Sequence, residues 1–190
     1  MLPHFLEDWR AERRLRRKAS QFVAAIFADP DESDVRWLAE RATDGDLDRA
    51  RWELRYARRA LGLLSSQRDA LDDRTGSAVA REVTTAMASD PHIGAGMTRL
   101  AERQFNSRLR GYADAIAART LGRSAAGRLG QALLAHSEAS LPFDDESVGR
   151  GGELLSRYSA EANEELRRLF GAASLPENVP PSAAEAERRR

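Results

Sequence analysis

Valine and isoleucine together supply only nine of the chain's 190 residues, against 33 alanines and 22 leucines. β-Branched side chains suit pleated sheets, whereas alanine, leucine, arginine and glutamate lose little freedom in a helix. An ordinary sheet is hard to build from such a chain, so the sequence predicts an all-α fold. Its apolar positions recur three and four residues apart, the spacing that lets each helix bury one stripe. Leucine, isoleucine, valine and phenylalanine come to only 37 residues, but the net charge is zero. Disorder usually pairs low hydrophobicity with high net charge, so a folded, alanine-rich core is expected.

Punctuation residues divide the chain into seven segments. The first helix is predicted from about Leu6 to Ala28. Asp29-Pro30-Asp31-Glu32 reads as a stop and restart, with Asp29 capping a second helix over 31–43. Gly45 suits the left-handed end of that helix, and Asp46 then caps a third over 47–71. The third is the best patterned. Leu47, Ala50, Leu54, Ala57, Leu61 and Leu64 form one stripe, and Trp52, Tyr56 and Leu63 a second, so it is expected to be central. A fourth helix runs from Asp72-Asp73 to about Ser89 and a fifth from about Met97 to Leu121. Ser124 caps a sixth, to about Ser140. Leu141 to Ser147 reads as an acidic loop, and a seventh helix covers about 149–170. Short connections favour an up-and-down bundle of six to seven helices. Residues 1–171 are expected to form a single helical domain. Residues 172–190, rich in Pro, Glu, Ser and Arg, read as a disordered tail.

Much chemistry is excluded or unsupported. The chain has no cysteine, so thiolate catalysis, disulfides and cysteine-ligated metals are ruled out. No two of His4, His92 and His136 are four residues apart, and no Glu-x-x-His occurs, so the helical metal motifs are missing. Gly94-Ala95-Gly96 lacks the third glycine of a nucleotide loop, since Arg99 stands there. Asp69, Asp72 and Asp73 read as caps and surface ion pairs. No cofactor is expected. His136 shares a face with Leu129 and Leu133 and reads as a core histidine. In an unrecognised helical enzyme it would serve as a general base beside Glu138.

The most distinctive local feature is basic. Arg10, Arg13, Arg14, Arg16, Arg17 and Lys18 stand against one acid, Glu12. One reading is contact with phosphate, on nucleic acid or an anionic membrane, with Phe5 and Trp9 as anchors. The other is a solvated face neutralised from within, since Asp29 to Asp48 holds eight acids and two arginines. Asp34 to Leu54 also has the outline of a helix–turn–helix, whose second helix carries Arg49, Arg51, Arg55, Arg58 and Arg59. Its acidic turn and leucine stripe speak instead for a bundle helix.

Missing catalytic motifs, segregated charge and two aromatics read as exposed, Trp9 and Trp37, lead to one functional expectation. The chain is read as a non-enzymatic protein–protein interaction or adaptor module. It is expected to dock on a protein partner, or self-associate, through Trp9, Phe22, Ile26, Phe27 and Trp37. The alternatives are the phosphate-contacting helix and the helical enzyme. No apolar run is long enough to span a bilayer and no signal pattern opens the chain, so a cytoplasmic location is expected.

Overall fold

The computed structural model describes residues 2–69, 72–118, 122, 124–139 and 142–171, with side chains from residue 8 onward. The expected disordered tail lies outside the described residues. Those residues form an all-α bundle without a strand: α1 (Leu2–Ile26), α2 (Glu32–Ala42), α3 (Leu47–Asp69), α4 (Asp73–Ala88), α5 (Thr98–Ala117), α6 (Ala125–His136) and α7 (Asp145–Phe170).

Both expected stripes of α3 are used. Ala50, Leu54, Ala57 and Leu61 are buried on one side, Tyr56 and Leu63 on the other, and α3 touches all six other helices. Leu47, the first residue of the stripe, is 46% exposed. It is the first residue of α3.

Helix starts follow the capping rule, with two corrections. Asp31, not Asp29, caps α2 and accepts a bond from the backbone N–H of Ser33 at 2.7 Å. Asp29 instead pairs with Arg55, also at 2.7 Å. Asp144 caps α7 through the backbone N–H of Ser147, and α7 starts at Asp145. Residues 145–147 are therefore helix rather than loop. Asp145 and Glu146 lie in the first turn, where the partial positive charge of the helix end favours acids. Gly45 has φ +86° and its N–H donates to Ala39 O at 2.9 Å, closing α2 as the sequence predicts.

Small residues set the helix spacing. A Cβ added at Gly62 would meet Ile26 Cγ2 at 2.5 Å, so the glycine lets α1 lie against α3. α6 and α7 are closer still. A Cβ at Gly130 would strike Val148 O and lie 2.6 Å from Gly152 N, and one at Gly152 would strike Ala126 O. These pairs run in opposite order along the two helices, so α6 and α7 are antiparallel. The same holds for α5 and α6, where Arg128 reaches Ala115 O and His136 lies on Gly111.

Candidate functional site

The burial of α1 changes halfway along it. Ala19, Phe22, Val23 and Ile26 are buried in the core, facing α4, α7 and α3. Phe22 and Ile26 are thus internal, and the expected docking surface built on them is corrected. They fill the one apolar stripe by which α1 holds to the bundle. Phe27 is half-buried beneath the Arg59 guanidinium, 4.0 Å from its ring centre. Trp37, read as exposed, is buried as well, under Arg150 at 5.0 Å. Trp9 alone of the five is exposed, at 53%.

The N-terminal half of α1 presents the opposite surface. Arg10, Arg13, Arg14, Arg16, Arg17 and Lys18 are all exposed. At about 100° per residue, Arg10, Arg13, Arg14 and Arg17 fall on the face opposite Ala19, Phe22 and Ile26, and span about 10 Å along the axis. Arg16 and Lys18 flank that face. Arg13 lies 5.4 Å from the Trp9 ring and Lys18 lies 5.8 Å from the Phe170 ring. Among the described residues none of the six forms an ion pair. Glu12, on the inner side, is taken by Arg74 and Arg81 of α4 at 3.4 and 3.5 Å.

Internal neutralisation by the 29–48 segment is not what the structure holds. Three of the eight acids there pair with α3 and α7 instead: Glu32 with Arg51 at 2.8 Å, Asp29 with Arg55, and Asp34 with Arg157. Conversely, the five arginines of the outline's second helix, Arg49, Arg51, Arg55, Arg58 and Arg59, are each paired within the chain. Arg49 meets Glu138 at 2.6 Å, Arg58 meets Glu161 at 2.9 Å and Arg59 meets Asp90 at 2.6 Å. The cations of that helix are committed to neighbouring segments, in keeping with its reading as a bundle helix.

His136 is half-buried, edge-on to Tyr112 with ring centres 5.4 Å apart, and rests against Gly111. Burial, and then the charge of Arg108, hold its pKa below the ordinary histidine value. A carboxylate partner of the kind a general base uses would push the other way, and Glu138 pairs with Arg49 instead. Among the described residues, no three of His, Cys, Asp and Glu are placed to hold a metal ion, and no helix is long and apolar enough to cross a membrane.

A second polar site escapes sequence reading altogether. Asp31 and Asp34 of the α2 start face Arg157, Tyr158 and Glu161 of α7 across a shared cleft. More than 120 residues separate Asp34 from its partner Arg157, so no local spacing announces the contact. No protein-family model, curated protein or solved structure matches the chain, so function is argued from this geometry.

Proposed function

We propose that the chain is a non-enzymatic binding module whose N-terminal helix holds a phosphate-rich polyanion, nucleic acid in the first place. The observation that carries this reading is the set of six exposed cations on α1, none of them ion-paired among the described residues. Unpaired cations near a phosphate backbone release condensed counterions, which supplies affinity without sequence specificity. Five of the six are arginines, whose planar fork matches phosphate oxygens. An anionic bilayer is the weaker choice, because a surface-lying helix inserts an apolar face. From Leu15 onward that face of α1 is engaged with the bundle.

A protein partner is the second reading, favoured by Trp9. It stands exposed beside Arg13, and tryptophan and arginine are the residue types that dominate protein–protein contacts. Its natural target is an acidic segment.

The test is fluorescence anisotropy of a labelled DNA duplex as salt is raised, with anionic vesicles in parallel. About four phosphate contacts give a slope of log K against log salt of roughly −3 to −4. Replacing Arg10, Arg13, Arg14 and Arg17 by alanine keeps helix propensity and is expected to abolish retention. No salt-sensitive binding by the unmodified chain at low salt sinks the nucleic-acid reading. Binding to vesicles alone transfers the site to lipid headgroups. Capture of an acidic peptide that Trp9→Ala abolishes, with duplex DNA inert, moves the conclusion to the protein partner.

A further inference from the structure

We propose that the seam between α1 and α4 is a second row of phosphate contacts for duplex nucleic acid, in which Arg74 and Arg81 of α4 extend the basic face of α1 onto its neighbour. This rests on α1 holding nucleic acid, and it names the rest of that site. Glu12 fixes which side of α1 meets α4. Its two carboxylate oxygens face separate guanidinium groups, those of Arg74 at 3.4 Å and Arg81 at 3.5 Å. Arg74 and Arg81 are seven residues apart in one helix, so they share a face and stand about 10 Å apart along its axis. Arg16, one turn beyond Glu12, lies on the same side of α1. It lines a cleft of about 320 Å³ with Ala78, Arg81, Glu82 and Thr85 of α4. Arg13 stands about 60° round the helix from Arg16, so the cations run from the outer face of α1 into the seam.

The Glu12 contacts are loose. Charge-assisted bonds from a guanidinium to a carboxylate run at about 2.7–2.9 Å, as Arg51 does with Glu32 at 2.8 Å. The side chains of Arg74 and Arg81 are 73% and 68% exposed. Long, solvated contacts to one shared carboxylate hold neither arginine firmly, so both can turn to a phosphate. The shared carboxylate also shows that two guanidinium groups of α4 reach one oxyanion at this seam. Three guanidinium groups, on Arg16, Arg74 and Arg81, stand there against the carboxylates of Glu12 and Glu82, which leaves the seam positive.

The lining selects the occupant. A protein anchor needs an apolar centre that excludes water, and Ala78 is the one apolar side chain among the described residues lining the cleft. Rows of arginine on two adjacent helices instead suit phosphates presented along two lines, as the strands of a duplex present them.

Fluorescence anisotropy of a short labelled DNA duplex with the full chain, as salt is raised, tests this. Four arginines of α1 alone give a slope of log K against log salt of roughly −3 to −4, and two further contacts steepen it to roughly −5 to −6. Replacing Arg74 and Arg81 together by alanine leaves all six cations of α1 in place and is expected to return the slope to the shallower value. Glu12→Gln removes the competing carboxylate and is expected to tighten binding by up to about fivefold, the equivalent of one exposed ion pair. Two changes at one seam thus move affinity in opposite directions, and thermal melts check that both variants remain folded. A folded double variant that keeps the slope and affinity of the unmodified chain overturns the proposal and leaves the α1 site standing. So does a Glu12→Gln chain that binds no tighter. No salt-sensitive binding by the unmodified chain defeats the α1 site itself, and the α4 row with it.

Discussion

Arg59 is as deeply buried as the leucines around it, and that burial is tolerable only because of its partners. Its guanidinium meets Asp90 at 2.6 Å and lies over Phe27 and, at 5.8 Å, Trp52. Burial pushes the arginine pKa down and Asp90 pushes it back up. For Asp90, burial raises the pKa, but the His92 N–H bond and the Arg59 charge overcome this and leave it below the ordinary 3.8. Removing one member strands the other. Arg59→Met is expected to cost about 3–5 kcal/mol in denaturant unfolding. Arg51→Met, which breaks the more exposed pair with Glu32, should cost under about 1 kcal/mol. Equal losses would contradict the weight given to burial. The pH dependence has a definite sign. A carboxyl whose folded pKa is depressed stabilises the fold above its unfolded value, and that stability is lost as pH falls through the folded one. The gap in stability between the native chain and Asp90→Asn should therefore be widest near neutrality and close as pH drops below about 4. A gap that stays constant down to pH 2 would remove Asp90 from the account.

Helices pack at distances set by what stands between them, and α6 and α7 are separated by almost nothing. Gly152→Ala places a methyl on Ala126 O, a backbone atom that cannot rotate away. The expected loss is about 1–3 kcal/mol, or roughly 3–10 °C in Tm. Gly149→Ala is the control. The added methyl meets nothing within 4 Å, and alanine in a helix gains up to about 1 kcal/mol over glycine. Two identical substitutions three residues apart should thus move Tm in opposite directions, and a shared direction would mean the crossing is looser than described. The same contrast marks what the sequence could reveal. Periodicity gives α3 its central place, because two apolar stripes need two sets of neighbours. Capping chemistry places the starts of α4 and α6 at Asp72 and Ser124. It misplaces the starts of α2 and α7, where several acids compete and only the packed turn selects one. Trp37 reads as exposed because it stands beside its stripe, yet α7 covers it through Gly151, where a Cβ would lie 3.6 Å from the indole. Such pairings, like Asp34 with Arg157, join distant segments and leave no trace in local spacing.

At the scale of the whole molecule, a net charge of zero conceals an uneven division. Asp29, Glu32 and Asp34 pair with arginines of α3 and α7, and among the described residues the cations of α1 have no ion-pair partner. One helix consequently carries two separable duties. Its second half closes the core through Ala19, Phe22, Val23 and Ile26, whereas residues 8–18 lie over α4 with only Glu12 and Leu15 partly buried. Truncation should separate them. Removing residues 1–14 deletes Arg10, Arg13 and Arg14 and breaks the exposed Glu12 pairs, each worth at most about 1 kcal/mol. That chain is expected to keep its helical circular dichroism and a cooperative melt within roughly 10 °C of the full chain, while losing duplex retention at low salt. Removing residues 1–28 also strips Phe22 and Ile26 from the core. Burying a large apolar side chain is worth about 1.5–3 kcal/mol, so losing two, with Val23 and Ala19, exceeds much of a typical domain's stability of about 5–15 kcal/mol. The longer truncation is expected to give no cooperative transition. If it folds normally, the inner half of α1 is dispensable and its assignment to the core is wrong. If the shorter one folds and still binds duplex DNA as before, the basic face of α1 is not the binding site.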